Sequence, residues 1–270
     1  VPLKNLIVHL DQGARTRARL DIAVAIARRH QARLTGLFGQ RAQPQQVGIV
    51  ATWPPADYVA AAAASRQLFE TATAGLAGAE WQDINRGGDA ALLARITECS
   101  RYCDLVVLGQ HDPRDGGHLP AELVEQVLVN SGRPALVVPY VGHHGADFKR
   151  PLIAWNDSRE AAHAVNDALP LIAGCEEAIV VSLDTRHEHA AAACAAVAGH
   201  LACHGIRAST DILPVGEVGI MDALLNRLVD KGADLLVMGA HGHAAIPFVG
   251  RGSGTQHILQ SMTVPVLMAS

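Results

Sequence analysis

"CDLVVLGQH", residues 103–111, returns 130 positions later as "ADLLVMGAH", residues 233–241. Asp104 and Asp234, Leu105 and Leu235, Val107 and Val237, Gly109 and Gly239, and His111 and His241 share that spacing. The register continues without a gap to Leu128 against Ile258 and Ser131 against Ser261. A fixed spacing sustained over this length means that one structural unit is written twice. Each copy opens with an apolar run that stops abruptly at Gly and His, as a strand buried on both faces does at its end.

The starts of the two halves also match, "LIVHLDQG" at 6–13 against "LIAWNDSR" at 152–159. Between start and glycine segment, strand-like and helix-like periods alternate. In the second half the pattern predicts helix over 158–171, strand over 178–183, helix over 187–204, strand over 207–213 and helix over 218–231. Strand over 235–238, helix over 255–260 and a closing strand over 264–268 follow. Strands that alternate with helices and are apolar on both faces form a parallel sheet covered by helices. The expectation is two tandem doubly wound α/β domains, 1–141 and 150–270, joined by "VGHHGADFKRP" at 141–151. The first half diverges most at 39–58, a Pro- and Gln-rich loop ahead of an alanine-rich helix over 59–77.

Composition narrows the function. A chain of 270 residues with 49% apolar and 18% charged residues has ample core for two domains. A net charge of −4, with three Tyr, three Trp and four Phe, gives no basic patch or stacking platform for nucleic acid. No segment reaches the length of a membrane span, and five cysteines without a CxxC pair favour free thiols. These features lead us to expect a cytoplasmic protein with neither nucleic-acid nor membrane partners.

Chemistry concentrates in "MGAHGHAAIPFVGRGSGTQHIL", residues 238–259, which leaves a strand and enters a helix. In an open parallel sheet, ligands sit beyond the carboxyl ends of the strands. Backbone amides of a glycine turn, with the free N–H groups of a helix start, form an anion site that needs no lysine. The spacing fits neither a Walker loop nor a dinucleotide fingerprint. Instead Gly239 is followed by two residues and Gly242, then by nine residues and Gly252 with Ser253.

That spacing after "ADLLVMG", closed by "VPVLMAS" and accompanied by "WNDSREAAHAVNDAL" at 155–169, resembles the nucleotide-binding signature of the universal stress protein family. The resemblance covers nearly the whole chain, once per half. It implies an adenine nucleotide α-hydrolase-like or flavodoxin-like three-layer sandwich in each half, with ATP in the second; AMP, ADP and an accompanying magnesium ion are alternatives within the same reading. Gly239, Gly242, Gly252, Ser253 and Gly254 would hold ribose and phosphates. Asn156 with Asp157, and Leu183, stand where the family places the adenosine part, with Asn156 where Asp is usual.

Opposite Gly239, Gly242, Gly252 and Ser253 the first half has Gly109, Asp112, Glu122 and Leu123. Two carboxylates where phosphate would lie repel it, so the first half is expected to be a degenerate copy. It would serve as structural partner in an internal pseudo-dimer, or the chain would form a homodimer. The loop offers no general base and no Walker lysine, so no catalytic residue is assigned and hydrolysis is expected to be slow or absent. The function expected is a sensor or regulator in stress response. A scaffold that docks a protein without nucleotide is the alternative. His241 and His243 flank Gly242 and are the loop's titratable groups.

Overall fold

The computed structural model of the protein describes residues 2–42, 45–47, 50–52, 54–85, 88–115, 117–182, 187–213, 219–240 and 253–270. They form two compact units, Pro2–Arg133 and Pro134–Ser270.

In the first unit β1 (Asn5–Leu10), α1 (Thr16–His30) and β2 (Arg33–Phe38) are followed by a short antiparallel hairpin, β3 (Gln45–Val47) and β4 (Val50–Thr52). Next come α2 (Ala56–Ala72), β5 (Ala79–Asp83), α3 (Asp89–Ser100), β6 (Leu105–Gly109) and α4 (Leu123–Ser131). The hairpin lies in the stretch expected to be loop, and α2 starts three residues earlier than the alanine pattern suggested, just after Pro55. Proline with its fixed φ suits the position before a helix. The main sheet runs β6-β1-β2-β5, with every pair parallel.

The second unit contains β7 (Ala135–Val138), β8 (Pro151–Trp155), α5 (Arg159–Ile172), β9 (Ala178–Ser182), α6 (His187–Cys203) and β10 (Ala208–Ile212). It ends with α7 (Ile220–Asp230), β11 (Leu235–Gly239), α8 (Ser253–Ser261) and β12 (Val266–Ala269). Its strand order is β10-β9-β8-β11-β12-β7, parallel except at the last pair. In β7 and β12, Leu136 faces Leu267 and Val137 faces Val266. At the repeat spacing of 130, Leu136 corresponds to Val266 and Val137 to Leu267, so each strand presents the same positions to the other.

The two doubly wound α/β sheets follow from the apolar pattern. Leu6, Val8 and Leu10 are sealed, and so are Ile7 and His9 between them, because helices cover both faces of a parallel sheet. The helices bury one stripe: on α5, Ala161, Ala164, Val165, Ala168, Leu171 and Ile172 recur at the three- and four-residue spacing of a single face.

Candidate functional site

In the second unit the strand order reverses between β8 and β11, which makes their carboxyl ends the topological switch point where such sheets take ligands. Asn156, Asp157 and Ser158 leave β8 there, and Gly239 ends β11. Ser158 caps α5: its Oγ accepts the Ala161 N–H at 3.1 Å and donates to Asn156 Oδ1 at 2.7 Å. Asn156 thus spends its oxygen on the turn. Asp157 adopts a left-handed backbone at φ 59°, a conformation that Asp and Asn tolerate better than most residues. Its carboxylate lies 3.4 Å from His189 Nε2, in the first turn of α6, and both side chains are exposed. The sequence reading passed over His189, because only the fold brings the start of α6 beside the end of β8.

Gly239 has a packing reason as well. A Cβ there would fall 2.6 Å from the Ala161 nitrogen and 2.7 Å from the Glu160 carbonyl carbon, so the end of β11 lies against the first turn of α5. Gly254, the second residue of α8, is less confined: a Cβ would meet the flexible tip of Met221 on α7 at 3.3 Å. His257 Nε2 and Asp222 Oδ1, 2.8 Å apart, join α8 to the first turn of α7. Ser253 begins α8. The expectations for Leu183, Gly242 and Gly252, and for His241 and His243, lie outside the described residues.

The first unit shows what occupies the equivalent place when the glycine segment is lost. Ile7 pairs with Val106 and Leu152 with Leu236, and Val106 and Leu236 are 130 apart, so β1 and β8 correspond at a spacing of 145. This shifts the sequence match of Leu6 with Leu152 by one residue, while Asp11 and Asn156 each directly follow their strand, as the ends of the two apolar runs already implied. The buried faces agree at the same spacing, with Thr16 against Ala161, Arg19 against Ala164, Leu20 against Val165 and Ala23 against Ala168.

Arg19 donates through Nη2 to Asp11 Oδ2 at 2.9 Å and through Nε to the His9 carbonyl at 2.7 Å. Thr16 Oγ1 donates to Asp11 Oδ1, which also accepts the Gly13 N–H at 2.8 Å. The Arg19 fork passes so close to Gly109 that a Cβ on that glycine would lie 2.3 Å from Nη1. Burial pushes the Asp11 carboxyl up, but Arg19, His9, Thr16 and the Gly13 amide outweigh it and hold the group well below the usual carboxylate range. His9 is sealed; its Nε2 donates to the Gly39 carbonyl at 2.8 Å, leaving Nδ1 without a hydrogen-bond partner and 3.8 Å from Asp11 Oδ2. Burial lowers its pKa to about 4, with Asp11 opposing and Arg19 assisting. The second unit has Ala154, Asn156, Ala161 and Ala164 at the positions of His9, Asp11, Thr16 and Arg19. Arg19 was legible as a charge among Leu20, Ala23 and Ile26, a placement that demands a buried partner.

The two carboxylates that replace glycines are also accounted for in part. Asp112 is paired with Arg114 at 3.0 Å, and Glu122 sits at the start of α4. Among the described residues no three metal-ligating side chains converge, and no helix is long and apolar enough to cross a membrane.

No family model and no curated protein matches the sequence. Solved structures match in fold. A universal stress protein from Archaeoglobus fulgidus DSM 4304 is 18% identical, with 98% of each chain covered and a TM-score of 0.64. A protein from Pseudomonas aeruginosa UCBPP-PA14 that carries the same family name is 14% identical over 99% of this chain and 93% of its own, with a TM-score of 0.57. A universal stress protein solved in complex with cAMP is 20% identical over 51% of this chain and 98% of its own, with a TM-score of 0.35. In fold, therefore, the chain is similar to universal stress proteins over nearly its whole length. Its two α/β units fit the tandem form of that fold.

Proposed function

We propose that the chain is a tandem universal stress protein whose second repeat, 150–270, binds ATP or another adenine nucleotide. The first repeat, 1–141, is then a copy that has given up this role. The observation that carries this reading is the contrast at the two switch points. In the first unit Asp11, Thr16 and Arg19 close the strand ends with their own hydrogen bonds, whereas the second has Asn156, Ala161 and Ala164 at the same positions.

In this reading Asn156 and Asp157 at the end of β8, together with Leu183, receive the adenosine. Gly239, Gly242, Gly252, Ser253 and Gly254 hold ribose and phosphates on backbone N–H groups and the start of α8. Asn156 retains its Nδ2 donor for the ligand, since its oxygen is held by Ser158. The alanines of α5 add no charge that would compete with phosphate. The protein then acts in the cytoplasm as a sensor or regulator of stress response, with slow hydrolysis or none.

Isothermal titration of the full chain with ATP, ADP and AMP tests the reading. Saturable binding of at least one nucleotide is expected, together with its loss in Gly252→Glu, which places in the second repeat the carboxylate that the first carries as Glu122. Absence of binding in the wild type, or equal binding by the variant, overturns it.

A further inference from the structure

The solvent face of α6 has an unusual make-up. Exposed helix faces ordinarily carry charge, yet between Glu188 and Arg207 the chain has no Lys, Arg, Asp or Glu. In the second half of the helix the exposed positions are Ala195, Ala196, Gly199 and Ala202, together with His200 and Cys203. His204, directly after the helix, is exposed as well. Two imidazoles four residues apart therefore stand on a surface of methyl groups, with no neighbouring carboxylate or ammonium on that surface to engage them.

Residues at i and i+4 lie one above the other on a helix. His200 and His204 meet in this way, with ring centroids 4.9 Å apart and planes inclined at 70°. Neither ring is hydrogen-bonded or ion-paired among the described residues. Each neutral imidazole thus has a nitrogen lone pair to give.

The backbone beneath the rings is fixed. The Ile206 N–H donates to the Leu201 carbonyl at 3.0 Å, and the Gly205 N–H to the Ala202 carbonyl at 3.0 Å, with Gly205 at φ 74°. This is the Schellman closure of a helix, which holds His204 as the residue that ends the last turn. Leu201 and Ile206, both buried, tie that turn to the core. The pair is held in position before any ligand arrives.

Two features select the ligand. The carbonyl end of a helix is the negative end of its dipole and favours a cation. Imidazole nitrogen suits zinc, nickel and copper, whereas magnesium and calcium take oxygen ligands. Two histidines at this spacing on one helix face are also how zinc is held in the H-E-x-x-H pattern. Cys203 does not converge with the pair, since no three ligating side chains meet among the described residues.

We propose that His200 and His204 chelate a divalent first-row transition ion of the zinc, nickel and copper class, with water completing its coordination. The site is independent of the nucleotide reading. α6 runs from the carboxyl end of β9 back to the amino end of β10, so its last turn lies at the opposite end of the sheet from the switch point.

The test is isothermal titration of the full chain, kept reduced, with nickel chloride and zinc chloride. The tightest nickel site should weaken roughly tenfold or more in His200→Ala and to the same extent in His204→Ala, because a chelate needs both donors. The double variant should bind no more weakly than either single one, the non-additivity of two groups that act together. Cys203→Ser should bind as the wild type does, and magnesium should not compete. Nickel should also raise the thermal midpoint of the wild type and not that of His204→Ala, because the bridge forms only across a folded turn. Metal-free midpoints of the variants close to that of the wild type check that these exposed positions leave folding intact. The proposal is overturned if neither ion binds the wild type saturably or if either single variant binds as the wild type does. It is equally overturned if the two losses add in the double variant, as for independent surface histidines, or if Cys203→Ser loses the site.

Discussion

Arg19 Nη2 lies 2.9 Å from Asp11 Oδ2, and both side chains are more than nine-tenths buried. This pair closes the carboxyl end of β1 from inside. Removal of one member of a buried pair leaves an uncompensated charge, at a cost of about 3–5 kcal/mol. Arg19→Met is therefore expected to lower the stability of the first unit by that order. Asp11→Asn with Arg19→Met should cost less than the two single changes added together. Urea denaturation of the three variants measures this, and an Arg19→Met chain as stable as wild type would show that the pair is not buried.

The pH dependence follows from His9. Burial holds its pKa at about 4, below the ordinary 6.5, so between these values the unfolded chain takes up a proton that the native chain refuses. Stability is fully present above pH 6.5 and falls as pH drops toward 4, by roughly 3 kcal/mol. His9→Phe should flatten the denaturation midpoint across that window. Asp11, held low, adds a loss only below the ordinary carboxylate range, so the variant retains its acid sensitivity below about pH 4.

Two glycines of the candidate site should respond differently to alanine. At Gly239 the new methyl would strike the backbone of Glu160 and Ala161, which cannot swing aside, so Gly239→Ala should destabilise by about 1–3 kcal/mol. At Gly254 the neighbour is the end of a methionine and the residue is helical, so Gly254→Ala should be neutral or up to about 1 kcal/mol stabilising. Thermal unfolding of both variants separates the packing role of the first from the second.

The turn after β8 gives an opposed pair of changes. Ser158→Ala removes the cap of α5 and should cost about 1 kcal/mol. Asp157→Gly relieves a left-handed backbone and should stabilise by up to about 1 kcal/mol. Comparison of urea midpoints with nucleotide titrations of Asp157→Gly would then show whether that carboxylate serves the ligand or only the turn.

Most of this architecture was legible because burial on both strand faces and the 130-residue spacing leave few alternatives. The helix expected over 158–171 is α5, Arg159–Ile172, and the strand over 178–183 is β9, Ala178–Ser182. The match between β1 and β8 was one residue off, since "LIVHL" and "LIAW" are apolar at successive positions and either register fits. The polar residues that end the two runs, Asp11 and Asn156, were the better guide, and the sheet pairing agrees with them. His189 was not legible, because it matters through Asp157, a partner distant in sequence, whereas Arg19 showed only as a charge on an apolar helix face and the fold supplied Asp11 as its partner.

The antiparallel seam of β7 and β12 also bears on how the chain can be divided. β12 has β11 on one side and β7 on the other, so its remaining backbone groups are satisfied by a strand written 130 residues earlier. A fragment that begins at residue 150 would carry the second repeat but leave β12 as a bare, apolar edge able to zip onto any other strand. Such a fragment should self-associate through that edge more readily than the full chain, in which β7 covers it.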